Sequence, residues 1–170
     1  MKRRAVLATA FSALAVSLAG CGKPKSKFKS YSGPEVTRVV VMKSDRRMYL
    51  MHHQKVLKAY DVHLGFAPEG HKQFEGDGKT PEGAYLINRR NPNSTYHLSI
   101  GISYPNEQDR EFAKAHNKSP GGDIFIHGGP RPGLDPSGPD WTVGCVAVTN
   151  DEVEDVYAMV KNGTQIDIFA

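Results

Sequence analysis

The chain has 170 residues, which is room for one domain of ordinary size but not for two. It is 39% hydrophobic and 24% charged, a globular composition that excludes a disordered or fibrous chain. The chain has two cysteines, too few for a disulfide-rich scaffold or a four-cysteine zinc site. Its 17 glycines and 11 prolines favour strands and shaped loops over a helical bundle.

The chain begins with the residue order of an export signal: basic residues at 2–4, an uncharged stretch over 5–20, and then Cys21. The apolar run is too short for a membrane-spanning helix, which needs about 20 residues. The sequence LAGC at 18–21 resembles the bacterial lipobox, in which the cysteine thiol is diacylated and becomes the new amino terminus. This resemblance implies an exported lipoprotein that is anchored to a membrane through Cys21 and faces the periplasm in a Gram-negative cell. A plain signal peptide with an incidental cysteine is the alternative.

Positive charge is concentrated ahead of the predicted domain. The net charge of +4 falls to +1 when the three basic residues of 1–20 are removed. Residues 21–34 hold four more lysines among Gly, Ser and Pro, a composition that predicts a flexible tether. The remaining residues, 35–170, carry a net charge of −3, so the basic excess gives no support for a nucleic-acid partner.

Residues 35–170 contain no repeat and are expected to form one domain. Short apolar or alternating runs, bounded by turn residues, predict eight strands in a meander. These runs cover residues 37–42, 47–51, 55–64, 83–89, 96–102, 123–127, 145–148 and 165–169.

Two helices are predicted at the periphery. Asn106 is suited to cap a helix that ends near His116. The apolar face of this helix would hold Phe112 and Ala115. The second helix begins with the capping-box sequence TNDE at 149–152, continues with apolar residues at helical spacing and ends at an Asn-Gly pair. The predicted fold class is therefore mostly β with peripheral helices.

A histidine at a strand end is the first candidate for chemistry. The apolar run 123–127 ends in His127, which is followed by Gly128 and Gly129. An imidazole in this position is well placed for proton transfer, and the glycines let a ligand approach the backbone. On its own, the pattern is more typical of a structural or solvated histidine.

A cysteine after a glycine-rich loop is the second candidate. Residues 128–144 are rich in Gly and Pro and predict a stiff, irregular loop that leads into Cys145. A cysteine between Gly144 and an apolar strand can place its sulfur at a sheet edge, where backbone N–H groups can form an oxyanion hole. Residue types alone leave two alternatives open: a buried, inert thiol, as in a purely structural tether, and a disulfide with Cys21.

The spacing of these residues carries a family resemblance. His127-Gly128, followed 15 residues later by Thr142-x-Gly144-Cys145, resembles the signature of the YkuD-type L,D-transpeptidases: a histidine, a spacer, then Ser/Thr-x-Gly-Cys. Three further segments are similar to parts of the family pattern: GDGKTPEGAY at 76–85, which contains the Thr-Pro-x-Gly element, YPNEQD at 104–109 and GGDI at 121–124. The resemblance spans roughly residues 36–170, and its four separated motifs follow the family order.

The resemblance implies a YkuD-like β-sandwich or mixed sheet in a single catalytic domain over residues 35–170, with no cofactor. It implies that His127 takes the proton of Cys145 and that the thiolate attacks the L-to-D peptide bond of a peptidoglycan stem peptide. The terminal D-amino acid leaves and a thioester forms. An amine then resolves the thioester in transfer, or water does so in hydrolysis.

The same resemblance implies roles for the residues around the nucleophile. Backbone N–H groups near Gly144 and Cys145 would stabilise the oxyanion. Thr142 would shape the pocket and hydrogen-bond near the sulfur. Gly128 and Gly129 are expected to contact the substrate.

Two departures from the family pattern leave the second half of the reaction open. Many members carry a histidine directly before the Gly-Cys pair, where this chain has Val143, and an Arg or Asn two residues after the cysteine, where it has Ala147. A valine side chain cannot hydrogen-bond, so the group that orients His127 must lie elsewhere, as a backbone carbonyl would. Both changes resemble a subgroup with amidase-like members that hydrolyse rather than ligate. An L,D-carboxypeptidase or amidase and a non-catalytic peptidoglycan-binding lipoprotein are therefore the alternatives.

The remaining histidines do not predict a metal site. His52 and His53, together with His63 or His71, are the candidates for ligands. Adjacent histidines on a strand point to opposite faces, so the first two cannot bind one ion together. We expect no metal in this domain.

Overall fold

The computed structural model describes residues 26–170. The predicted signal peptide, 1–20, and the predicted lipidation site, Cys21, lie outside the described residues. Within the described residues, neither helix is both long and apolar enough to cross a membrane.

Within residues 26–170, eight strands form one mixed sheet. They are β1 (Arg38–Met42), β2 (Arg47–His52), β3 (Lys55–Asp61), β4 (Gly83–Asn91), β5 (Ser99–Ile102), β6 (Phe125–His127), β7 (Val146–Ala147) and β8 (Gln165–Phe169). Their order in the sheet is β3-β2-β1-β8-β4-β5-β6-β7. The pairs β1·β8 and β6·β7 are parallel, and the other neighbouring pairs are antiparallel. The predicted mostly-β class and all eight predicted strands are confirmed, and the arrangement is a curled mixed sheet.

Two α-helices accompany the sheet in the described chain: α1 (Glu107–Ala115) and α2 (Asn150–Met159). Both begin with the capping boxes that the sequence predicts. Asn106 and Asp109 exchange side-chain and backbone hydrogen bonds at α1, and Thr149 and Glu152 do so at α2. Each box satisfies two backbone N–H groups that a helix start leaves without partners, which fixes where the helix begins.

The buried faces of the two helices differ in how well the apolar pattern predicts them. In α2, Val153 and Val156 are buried, as predicted. In α1 the predicted apolar face is wrong, because Phe112 and Ala115 are exposed while Asp109 and Ala113 are buried. Asp109 is buried because polar partners receive it: its carboxylate accepts hydrogen bonds from the Tyr85 hydroxyl and the His71 ring, each at 3.0 Å.

The core is built from alternate strand positions, as the period of two requires. In β1, Val39 and Val41 are fully buried, and in β4 Tyr85 and Ile87 are buried. The other large, fully buried side chains are Met48, Leu50, Leu64, Leu98, Ile100, Ile102, Ile126, Ile166 and Ile168. Ile100 and Ile126 of this core belong to β5 and β6, the strands beside the candidate site.

A buried lysine ties the loop between β3 and β4 to the sheet. Lys43 Nζ donates to the carbonyl oxygens of Gly70 at 2.7 Å and Thr80 at 3.0 Å. Its third hydrogen bond is to Glu82 Oε1 at 2.7 Å. Burial lowers the pKa of Lys43, and these three partners offset the cost of burying its ammonium.

The described part of the predicted tether, residues 26–34, contacts the domain. Lys27 Nζ donates to the carbonyl oxygens of Pro92 at 2.6 Å and His97 at 3.0 Å. Lys29 Nζ donates to Asp155 Oδ1 at 2.8 Å, which raises the pKa of this lysine. Two lysines of the predicted flexible tether therefore bond to the domain.

Candidate active site

His127 and Cys145 lie at adjacent ends of two paired strands. His127 is the last residue of β6, and Cys145 directly precedes β7. The two strands are parallel, with His127 opposite Ala147. Two positions back along this register, Cys145 faces Phe125, so His127 and Cys145 are diagonal neighbours on the same face of the sheet. Both side chains border the same two cavities, which brings together the pair that the sequence predicts.

The segment 63–66 holds the turn that carries Cys145. Its backbone is hydrogen-bonded to both ends of that turn, to Thr142 at 3.1 and 2.9 Å and to Ala147 at 2.8 and 2.9 Å. The sulfur therefore projects from a backbone that is fixed before and after it.

The Thr142 side chain closes the same turn from within. Its Oγ1 accepts the N–H of Gly144 at 3.1 Å and donates to the carbonyl of Cys145 at 2.8 Å. The hydroxyl thus organises the backbone of the turn. Because the Gly144 N–H is engaged in this bond, it differs from the free oxyanion donor that the sequence predicts.

Gly144 also allows a close approach between two of the sequence motifs. Its φ of 132° lies in the region that favours glycine, and a Cβ here would lie 2.7 Å from the carbonyl oxygen of Lys79. A Cβ on Gly65 would lie 2.1 Å from the carbonyl oxygen of Gly78. The GDGKTP segment therefore packs, backbone against backbone, on the turn that carries Cys145.

A backbone carbonyl orients the His127 ring. Its Nδ1 lies 2.6 Å from the carbonyl oxygen of Gly128. Because a carbonyl oxygen can accept but not donate, Nδ1 carries the proton and Nε2 is left with a free lone pair. Burial lowers the pKa of His127 below its ordinary value of 6.5, which the bond to Gly128 partly opposes. The imidazole is therefore neutral at neutral pH and able to accept a proton at Nε2.

The Cys145 thiol is partly buried and protonated. Its Sγ donates to the carbonyl oxygen of Asp123 at 3.6 Å, and the structure contains it as a free cysteine. Burial raises its pKa to about 11, and the Asp123 charge adds to this rise, while a hydrogen bond from the Phe125 backbone opposes it. At neutral pH the site therefore holds a neutral thiol beside a neutral imidazole, so the thiol proton must be transferred as the sulfur attacks.

Aromatic side chains that the sequence analysis did not identify enclose His127. The Tyr96 ring lies 4.4 Å from the imidazole between centroids, and the Trp141 ring lies 5.6 Å from it. The Arg131 guanidinium lies over the Tyr96 ring at 4.3 Å and donates to the Tyr96 hydroxyl at 3.0 Å. Arg131 also pairs with Asp135, and this pairing lowers the pKa of Asp135 to about 2. Tyr96 is thus held in place on one side of the catalytic candidate.

Gly128 and Gly129 have packing contacts in the structure. A Cβ on Gly128 would lie 2.5 Å from Asn150 Oδ1, at the start of α2. A Cβ on Gly129 would lie 3.1 Å from the Trp141 ring. Neither glycine borders the three described cavities that reach Cys145. Their contact with substrate stays a prediction.

Two large cavities and one smaller cavity meet at Cys145. The first, which we call the polar cleft, has a volume of about 720 Å³ and is bordered by Lys72, Glu75, Arg89, Asp123 and Cys145 among others. The second, the aromatic cleft, has a volume of about 700 Å³ and is bordered by Phe66, Tyr96, His127, Trp141 and Cys145 among others. The third cavity has a volume of about 350 Å³ and is bordered by His127 and Cys145 as well. Val143, with 67% of its surface exposed, borders both large clefts.

The histidines outside this site are not grouped around a metal position. Within residues 26–170, no set of three His, Cys, Asp or Glu side chains is arranged to hold an ion. His71 is engaged on both ring nitrogens, by Asp109 at 3.0 Å and by the N–H of Glu82 at 2.9 Å.

The solved structures that resemble this fold include two at the same level of sequence identity. The helical cell shape determining protein Pgp2 from Campylobacter jejuni matches with a TM-score of 0.60 at 28% identity, covering 86% of this chain and 51% of that chain. Bd1075 from Bdellovibrio bacteriovorus matches with a TM-score of 0.56 at 28% identity, covering 79% of this chain and 48% of that chain.

A curated relative and a family model match the sequence. The "Putative L,D-transpeptidase YafK" of Escherichia coli K12 is 32% identical over 108 residues, which are 62% of this chain and 38% of that protein. The chain therefore spans about half the length, or less, of these three relatives. The family model YkuD, the L,D-transpeptidase catalytic domain, matches residues 36–168. The chain therefore belongs to the YkuD family of L,D-transpeptidase catalytic domains.

Proposed function

We propose that this protein is a cysteine-dependent L,D-transpeptidase that acts on peptidoglycan stem peptides in cell-wall biogenesis or remodelling. The observation that carries the proposal is the placement of Cys145 and His127 as diagonal neighbours that border the same cavities, with His127 Nε2 free to accept a proton. Membership of the family supplies the reaction class. Pgp2, a structural relative, is described as a protein that determines helical cell shape, which agrees with a wall substrate.

In the first half of the proposed reaction, His127 Nε2 takes the thiol proton while Cys145 Sγ attacks the carbonyl carbon of the L-to-D peptide bond. The carbonyl oxygen becomes an oxyanion, for which we propose the N–H of Cys145 as donor because that of Gly144 is bonded to Thr142. When the intermediate collapses, the carbon–nitrogen bond breaks. His127 returns the proton to the leaving nitrogen, so that the terminal D-amino acid departs and a thioester remains.

In the second half, an acceptor amine attacks the thioester carbon and loses a proton to His127, and the Cys145 thiol is regenerated. Transfer requires space for two peptides at one sulfur. The polar cleft and the aromatic cleft, each of about 700 Å³ and both open to Cys145, support this requirement.

Hydrolysis of the same thioester by water is the second candidate, as in an L,D-carboxypeptidase or amidase. Val143 favours it, because an exposed valine borders both large clefts at the place where an acceptor amine would enter. Its side chain offers no hydrogen bond to hold that amine. Ala147, which is fully buried, also presents no polar group to a substrate.

Export and lipid anchoring through Cys21 complete the proposal and rest on the sequence of residues 1–21. Two acyl chains would hold the protein at a membrane surface, with the wall within reach of the domain. Metabolic labelling with a palmitate analogue tests this part: label on the wild type and none on Cys21→Ala are expected. Label on both variants, or on neither, would contradict it.

The activity is tested by incubating the purified protein with muropeptides that carry tetrapeptide stems, followed by mass analysis. Transfer predicts new cross-linked dimers together with free D-alanine, and hydrolysis predicts trimmed stems with free D-alanine. We expect Cys145→Ala to lower D-alanine release at least about 1,000-fold, because it removes the atom that forms the acyl-enzyme.

Acylation by a carbapenem gives an independent measurement of the same thiol. Intact mass should show one adduct on the wild type and none on Cys145→Ala. D-alanine release that survives in Cys145→Ala would show that the nucleophile is another residue. A wild-type protein that forms no adduct and releases no D-alanine would favour a non-catalytic wall-binding protein.

A further inference from the structure

The polar cleft contains a cation that the proposed mechanism does not use. Among the described residues, Lys72 and Arg89 are the cationic side chains that border it. Lys72 is 3% exposed at its side chain, and its Nζ is already bonded to the Phe74 carbonyl at 2.9 Å and to Asp77 Oδ1 at 2.8 Å. Arg89 has a half-exposed side chain, and its hydrogen bond within residues 26–170 is from NH2 to Asp123 Oδ1 at 2.7 Å. Because a guanidinium has five N–H donors, most of those of Arg89 have no protein acceptor within the described residues.

The backbone of β4 and β5 positions this arginine. The register between the two strands shifts between Ile87 and Arg89, and such a bulge changes the direction of the side chains that follow it. Gly101, opposite Arg89, leaves room for it: a Cβ there would lie 2.5 Å from Arg89 Cγ. The guanidinium then lies over the Phe125 ring at 4.4 Å, which supports its flat face and leaves its edge free.

A single residue connects this guanidinium to the nucleophile. The Asp123 carboxylate accepts from Arg89 at 2.7 Å, and the Asp123 carbonyl accepts from Cys145 Sγ at 3.6 Å. The guanidinium and the thiol therefore contact two ends of one residue, its side-chain carboxylate and its backbone carbonyl. In the proposed substrate, the leaving D-amino acid is the last of the stem, so its carboxylate also lies one residue, about 3.8 Å of backbone, from the carbonyl that the thiol attacks.

We propose that Arg89 binds the terminal carboxylate of the donor stem peptide in the polar cleft, an assignment that rests on the proposed function. Arginine presents two parallel N–H groups that match a carboxylate. The Asp123 side chain is 84% exposed, so the incoming carboxylate can replace it as the partner of Arg89. This contact selects stems that end in a free carboxylate.

The test compares two donors, a tetrapeptide with a free C-terminal carboxylate and the same peptide with a C-terminal carboxamide, on the full-length protein. The wild type should prefer the free acid by about 10- to 100-fold in kcat/KM, mainly through KM, as expected for hydrogen bonds to a charged group. Arg89→Met keeps an apolar stem over Phe125 and should lower turnover of the acid to that of the amide. Arg89→Lys should retain part of the preference, because it keeps the positive charge but lacks the two parallel N–H groups of the guanidinium.

The rate at which a neutral maleimide alkylates Cys145 is the control for the state of the thiol, because this reagent has no carboxylate for Arg89 to bind. This rate should be unchanged in Arg89→Met. An acid-to-amide ratio that is the same in the wild type and in Arg89→Met would overturn the assignment. If both donors lost activity equally, the ratio would also stay the same, and Arg89 would contact another part of the stem. Wild-type protein that releases the terminal residue from neither donor would overturn the proposed function, and this assignment with it.

Discussion

The polar cleft and the aromatic cleft have nearly the same volume, about 720 and 700 Å³, and both reach Cys145, but their linings differ in chemistry. The polar cleft has charged groups on its border, with Arg89 and Asp123 paired at 2.7 Å. The aromatic cleft has Tyr96 and Trp141 packed around the imidazole of His127.

This difference separates recognition from proton transfer. Charges that are half-exposed can attract a charged peptide end, although solvent screens them. Aromatic side chains exclude water from the imidazole, so His127 stays neutral and its Nε2 is ready to accept a proton. Changes on the aromatic side should therefore alter kcat and its pH dependence, whereas changes on the polar side should alter KM.

The largest effect is expected at His127, on the aromatic side, where the separation of roles places proton transfer. His127→Gln keeps a polar side chain of similar size but has no group that accepts a proton near neutral pH. We expect kcat/KM for the free-acid tetrapeptide to fall by about 100- to 10,000-fold, the usual contribution of a general base. Single-turnover release of D-alanine measures it, and thermal unfolding of the variant checks that the fold is retained.

The pH dependence of kcat/KM in the wild type tests the same role of His127 as a base. The base works while it is neutral, so kcat/KM should decrease as the pH falls through the pKa of His127. Because burial lowers this pKa, the midpoint should lie below 6.5. Burial raises the pKa of Cys145 to about 11, so no second midpoint is expected between pH 7 and 9. We call the decrease of kcat/KM at low pH the acid limb of the profile. An acid limb that is unchanged in His127→Gln would mean that another group titrates.

Local patterns predict most of the fold, and they fail where distant segments decide the outcome. All eight strands are confirmed because period-two alternation and turn residues are local signals. The third strand is predicted to run to Leu64, but β3 ends at Asp61, and the next residues pair instead with the turn around Cys145. Asp109 is buried on α1 by partners at residues 71 and 85, which no helical period can reveal.

The same limit applies to the candidate site. His127 and Cys145 are predictable from their types and spacing, because each follows a strand signal and glycines surround both. Tyr96 and Arg89 are not predictable in this way, because no sequence motif marks an aromatic residue or an arginine in a strand-like segment as functional. Their roles depend on contacts with His127 and Asp123, residues that are more than 30 positions away along the chain.

A smaller effect, of about tenfold in kcat, is expected at Tyr96 on the aromatic side, where it acts as a positioning residue. Tyr96→Ala removes the ring that lies 4.4 Å from the imidazole and admits water beside His127. Hydration favours the charged form, so the pKa of His127 should rise and the acid limb of kcat/KM should move to higher pH. The pH profile of tetrapeptide turnover, measured on both proteins, tests this shift.

Tyr96→Phe is the matched control, because it keeps the ring and loses the hydroxyl that accepts from Arg131 at 3.0 Å. Its acid limb should coincide with that of the wild type. A limb that moves equally in both variants would assign the effect to the hydroxyl network with Arg131. A limb that moves in neither would show that Tyr96 does not desolvate the imidazole.

The smallest effect, a change of about threefold, is expected from salt, and it distinguishes the two clefts without any mutation. The Debye length is about 10 Å at 0.1 M salt and about 3 Å at 1 M, so a half-exposed guanidinium such as that of Arg89 attracts a carboxylate less well as salt rises. Raising NaCl from about 0.05 to 0.5 M should therefore increase KM for the free-acid tetrapeptide about threefold. The carboxamide peptide should change little, and so should kcat for both peptides, because the proton transfer occurs beside a buried imidazole. Arg89→Met should remove the salt dependence of KM. If instead kcat fell with salt while KM stayed constant, the screened charges would act in proton transfer. That result would contradict the separation of roles between the two clefts.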